Sequence, residues 1–113
     1  MILHVVKAKI APSINNAMKT ATIEWSQKWL SLVQRKWPER QFSFLSMVSG
    51  QNDVVLWTGR YESFAEWEEF FKGYWQDPEI KALYEEGAKT QEPLGSPALV
   101  ESEIQFYRIH EPA

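Results

Sequence analysis

The stretch Arg60-Tyr-Glu-Ser-Phe-Ala-Glu-Trp-Glu-Glu-Phe-Phe-Lys-Gly-Tyr-Trp-Gln-Asp-Pro-Glu-Ile-Lys-Ala-Leu-Tyr84 decides the fold. It begins as the end of a strand. Ser63, with Glu66 three residues on, then has the form of a capping box, in which the hydroxyl accepts from a first-turn N–H and the carboxylate reaches back to the cap. Phe64, Trp67, Phe71, Tyr74 and Trp75 recur at three- and four-residue steps, so they share one side of a helix, with Glu66, Glu69 and Lys72 opposite. Pro78 must stop or kink that helix, because its ring lacks an N–H and clashes with the preceding turn. Asp77-Pro78 also restarts a helix well, with Asp77 as cap and Pro78 in the first helical position. Ile80, Leu83 and Tyr84 carry the apolar side onward. The sheet beneath is expected to absorb Phe64, Phe71 and Trp75 as core, which leaves Trp67 and Tyr84 either side of the bend as candidate ligand contacts.

Upstream, Ile2 to Ile10 is rich in β-branched residues and reads as a strand. Ile2, His4, Val6, Ala8 and Ile10 share one face; Leu3, Val5, Lys7 and Lys9 share the other. Ala11-Pro12-Ser13 opens a long helix with Ser13 as expected N-cap. Ile14, Met18, Ala21, Trp25, Trp29 and Leu32 form its main apolar stripe. Ile23, Leu30 and Trp37 lie on nearly the opposite side and either meet a partner or stay exposed. Gln41 to Ser49 alternates like a strand, the segment from Gly50 to Asp53 reads as a turn, and Val54 to Tyr61 completes a hairpin. Gly87 to Pro97 reads as a loop, and Leu99 to Ile109 as the last strand. The order is therefore β-α-β-β-α-β, a ferredoxin-like α+β fold: a four-stranded antiparallel sheet with both helices on one face. The strands carry apolar residues on both faces, so the bare face is expected to pair with a second copy as a homodimer.

At 113 residues the chain is read as a single domain, 1–113. Six Trp, six Phe and four Tyr are an unusual share of rings, suited to cores, interfaces and pockets for flat ligands. A net charge of −3 does not suit a general nucleic-acid binder. The third strand, Asp53-Val-Val-Leu-Trp-Thr-Gly-Arg60, also lacks the Gly-aromatic run with which RNA-recognition domains of the same element order stack bases. Without cysteine there is no disulfide or thiolate nucleophile, and two histidines without clustered carboxylates give no metal site. The start resembles no signal peptide and no apolar run approaches the ~20 residues that span a bilayer, so no membrane partner is expected and a cytoplasmic location fits. Gly-rich phosphate loops, nucleophile elbows and dinucleotide fingerprints are absent.

The segments Tyr61-Glu-Ser-Phe-Ala-Glu-Trp67 and Asp77-Pro-Glu-Ile-Lys-Ala-Leu-Tyr84 resemble the dimeric α+β barrel superfamily, which includes the antibiotic-biosynthesis monooxygenase-like and NIPSNAP-like families. The resemblance covers nearly the whole chain and implies two sheets closing into an eight-stranded barrel across a dimer. It implies a cofactor-independent monooxygenase- or cyclase-like enzyme acting on a hydrophobic aromatic or polyketide-like compound. In that reading His4 is the base, Arg60 the anion partner, and Trp25, Trp29, Trp57, Trp67 and Tyr84 the walls of a cavity. Imidazole suits the role of base because it titrates near neutrality unaided. Heme-degrading members resemble this chain at Trp67, a porphyrin contact. Their axial His falls near Tyr84, and their first-strand Asn falls at Val5 or Val6, so two of three residues differ. No cofactor is expected. The competing class is a non-catalytic ligand-binding or dimerisation module with no open pocket, in which His4 is a structural residue.

Overall fold

The computed structural model describes residues 1–11, 16–48, 53–91 and 99–112. The elements follow in the order β1 (Ile2–Ile10), α1 (Asn16–Lys36), a 3-10 turn (Pro38–Arg40), β2 (Ser43–Ser46), β3 (Val54–Tyr61), α2 (Phe64–Tyr74), α3 (Pro78–Gln91) and β4 (Leu99–Arg108). The four strands form one antiparallel sheet ordered β2-β3-β1-β4, the ferredoxin-like arrangement the element order predicts. The expected cap Ser13, the stripe residue Ile14, the turn at 50–52 and the loop prolines Pro93 and Pro97 lie outside the described residues.

Register places His4 opposite Gly59 and Phe106, and Val6 opposite Trp57 and Ile104. These residues share the face that the helices cover: His4 meets the rings of Trp67 and Phe71, and Tyr61 those of Phe70 and Phe71. Between helices and sheet lies a core of Trp29, Val33, Phe42, Tyr74, Ile80 and Leu83, with a smaller cluster of Ala8, Ile10 and Val55. The second stripe of α1 is spent inside the fold. Ile23 packs on the smaller cluster, Leu30 on the larger, and Trp37 meets Phe70 edge-on.

Several local expectations need correcting. The capping box is half formed: Ser63 Oγ accepts from the Glu66 N–H, but the Glu66 carboxylate turns to Arg40. Arg40 also lies over the rings of Tyr61 and Phe70, so a charge-assisted bond held over buried rings outcompetes the local one. Phe64 and Trp75 are not core; each is 49% exposed. Phe70 takes their place, wedged among Trp37, Phe42 and Tyr61. β2 starts later than its alternation suggests, because the chain leaves the 3-10 turn through Gln41 in the left-handed region, and it ends at Ser46. Helix α3 continues through Gly87 to Gln91 where a loop was expected. A Cβ at Gly87 would lie 2.8 Å from the Trp25 indole nitrogen, so this glycine permits a close approach of helices rather than ending one.

The break between α2 and α3 is as the sequence predicts. Asp77 Oδ1 accepts from the N–H groups of Glu79 and Ile80, capping α3, and its other oxygen pairs with Lys36 at 2.9 Å. Lys36 and Arg35 also bind Glu79, which ties the end of α1 to the start of α3. Among the described residues no helix is long and apolar enough to cross a membrane.

Candidate functional site

The rings of α1, α2 and α3 do not close completely on the sheet. They leave a cavity of about 680 Å³ between the helix layer and strands β1, β3 and β4. Its walls bring together six of the residues singled out in the sequence: His4, Trp25, Trp29, Trp57, Trp67 and Tyr84. Ile104 of the edge strand β4 lines this cavity and is still 63% exposed. A one-residue bulge in β4 opposite Lys7–Lys9, with Glu101 at φ 53°, shifts the alternation so that both Leu99 and Ser102 reach the same wall.

Arg60 is not part of this site. It pairs in register with Leu3 on the opposite face of the sheet and is exposed there. Strand alternation makes this unavoidable once His4 and Trp57 face the helices.

His4 is the one imidazole in the wall, only 7% exposed and ringed by Trp67, Phe71 and Phe106 at 5.2–5.3 Å and by Tyr61 at 6.3 Å. Burial among these rings penalises the charged form and pushes its pKa down to about 4. At neutral pH it is uncharged. Its Nε2 is buried and has no hydrogen-bond partner, and the same holds for the indole nitrogens of Trp57 and Trp67. Buried polar groups are nearly always paired, so three such atoms on side chains that line one cavity set this region apart.

Tyr74 was read only as part of a helix stripe, yet it links two predicted site residues. Trp29 Nε1 donates to the Tyr74 hydroxyl at 2.9 Å, and that hydroxyl lies 2.8 Å from the hydroxyl of Tyr84. Burial, above all, raises both phenol pKa values, so both stay protonated across the ordinary pH range. Trp25 Nε1 donates to the Leu83 carbonyl at 2.8 Å, which fixes its ring against Tyr84. Only the side-chain types of these partners are visible in a sequence; their pairing across 45 and 58 positions is not.

The residues present do not suit heme. An iron ligand at Tyr84 would have to be a phenolate, and this phenol is held protonated in a bond with Tyr74. Val6 lines the cavity with an alkyl group, and Val5 lies on the other side of the strand. Among the described residues no group of three His, Cys, Asp or Glu could hold a metal ion.

Fold and cavity define a ferredoxin-like α+β protein with an aromatic-walled hollow between helices and sheet. Solved structures of the NIPSNAP-like and antibiotic-biosynthesis monooxygenase-like kind share this architecture. An uncharacterised NIPSNAP domain protein from Burkholderia xenovorans superposes with a TM-score of 0.66 at 14% identity, over 97% of this chain and 95% of its own. A proposed antibiotic biosynthesis monooxygenase from Deinococcus radiodurans superposes with a TM-score of 0.59 at 8% identity, over 100% of this chain and 96% of its own. At such identities the likeness is one of fold. No protein-family model matches the chain, and no curated protein matches it.

Proposed function

We propose that the chain handles a small, flat, hydrophobic molecule held in the cavity between its helices and sheet. The observation that carries this reading is the 680 Å³ space walled by Trp25, Trp29, Trp57, Trp67 and Tyr84. Ligand pockets span about 300–1,000 Å³ and are mostly apolar with a few polar groups. The test is titration with fluorene, followed by the fluorescence of the wall tryptophans. Wild type should saturate, and Ala21→Trp, which fills the space, should not. Equal quenching of both proteins would sink the proposal.

A second reading adds chemistry. A cofactor-independent monooxygenase- or cyclase-like reaction would use His4 as the base, accepting a ligand proton on Nε2. The neutral imidazole in the cavity wall supports it; the close cage of rings and the weakly basic nitrogen favour the purely binding role. Turnover that survives His4→Ala unchanged would remove His4 from any reaction.

The open face of the sheet supports a homodimer. Leu45 and Tyr107 lie on it, 49% and 50% exposed, alongside Leu3 and Leu56. A second copy packed sheet to sheet would bury them. Sedimentation should give a dimer at micromolar concentration for wild type and a monomer for Leu45→Asp; a wild-type monomer would refute it.

A further inference from the structure

We infer that the cavity selects an uncharged ligand bearing a carbonyl-type oxygen, and that the Tyr84 hydroxyl, at the end of a chain running Trp29→Tyr74→Tyr84, donates the hydrogen bond that recognises it. The inference rests on the cavity being a ligand site and deepens that reading.

Proton bookkeeping sets the direction of the chain. An indole N–H can only donate, so Tyr74 Oη accepts from Trp29. Tyr74 is 3% exposed, and its single proton needs a partner. Tyr84 Oη, at 2.8 Å, is the acceptor in reach. If Tyr84 donated instead, the Tyr74 proton would be buried without a partner, a more costly state than the alternative. With Tyr74 donating, the Trp29 and Tyr74 protons are both satisfied, and the Tyr84 proton is the loose end on a side chain that lines the cavity and is 37% exposed. Hydrogen bonds in series polarise one another, which makes the terminal hydroxyl a better donor than an isolated phenol.

Charge sets the class of ligand. No Lys, Arg, Asp or Glu is among the described residues lining the cavity. Every Lys and Arg of the chain lies in the described segments, so no basic side chain of this chain remains to join the wall. An anionic ligand would enter an apolar space without a counter-charge and lose its hydration. The Tyr84 O–H is the free donor at the end of this chain, while the unpartnered Nε2 of His4 and the indole nitrogens of Trp57 and Trp67 are buried. A neutral planar ketone, lactone or quinone fits this donor; a carboxylate or a charged amine does not.

Calorimetric titration with three probes on nearly one skeleton tests this: 9-fluorenone, fluorene and 9-fluorenone-2-carboxylate. Wild type should bind fluorenone about two- to tenfold more tightly than fluorene, the range one hydrogen bond gives, and the carboxylate more weakly than either. Tyr84→Phe keeps the ring and should bind fluorenone and fluorene equally. Tyr74→Phe, which breaks the chain in its middle, should lower the preference without abolishing it. If wild type binds fluorenone and fluorene equally, or Tyr84→Phe keeps the preference, the donor assignment falls while the apolar cavity stands. Binding of the carboxylate as tight as that of the ketone overturns the neutral-ligand assignment. Absence of binding by all three overturns the ligand cavity itself.

Discussion

Replacing His4 with glutamine should flatten the acid side of the stability curve. In the unfolded chain an imidazole takes up a proton below its ordinary pKa of 6.5, whereas in the fold it does so only near 4. Between these values the unfolded state binds more protons than the native state, so stability falls as pH falls. The loss begins as pH drops through 6.5 and levels off below 4. Each unit of separation is worth about 1.4 kcal/mol, so the full penalty is roughly 3 kcal/mol, and about 2 kcal/mol of it falls between pH 7 and pH 5. For a domain of this size that is a drop of roughly 6–10 °C in Tm. Three of the four rings around His4 cannot titrate, and burial raises the pKa of the fourth, Tyr61, so it stays neutral here. The assay is urea unfolding at half-unit steps from pH 7.5 to 4.5 for wild type and His4→Gln, using the difference between the curves so that carboxylate effects cancel. The wild-type curve should bend down below pH 6.5 and the variant should not. Parallel curves would show that the imidazole charges freely in the fold, and the buried neutral His4 argued above would be wrong.

Ile80 has no exposed surface and sits at the start of α3 within the main core, so Ile80→Ala should cost about 2–5 kcal/mol, read from the urea midpoint. A Cβ at Gly59 would lie 2.8 Å from the Phe42 ring, and Gly59→Ala should therefore destabilise by roughly 1–3 kcal/mol through overpacking, with calorimetry as the check. Ser63→Ala removes the hydroxyl that accepts from the Glu66 N–H and should cost about 1 kcal/mol. Glu66→Gln should cost more than an exposed ion pair would, because Arg40 is held over two rings and its Nε is buried. A denaturation series on the two single variants and the double variant with Arg40→Met would measure that coupling.

The order of elements, the faces of the strands and the break at Asp77-Pro78 are all readable along the chain. These depend on periodicity and on backbone chemistry that each residue carries with it: the twofold alternation of β1 and β3, the hydroxyl of Ser63, the missing N–H of Pro78. The aromatic walls of the cavity were legible for the same reason, since face and residue type together place Trp57 and Trp67 between sheet and helices. The rest follows from long-range packing. Whether Glu66 returns to its cap or turns to Arg40 depends on a residue 26 positions away. Gly87 resembles a helix terminus until Trp25 is seen against it. Alternation already separates Arg60 from Trp57, but that the helices cover the Trp57 face, leaving Arg60 outside the cavity, is settled by packing. The Trp29–Tyr74–Tyr84 chain exists because α1, α2 and α3 converge on one point. Local chemistry fixes what a residue can donate or accept; which partner it meets is set by packing, and packing is a property of the whole chain.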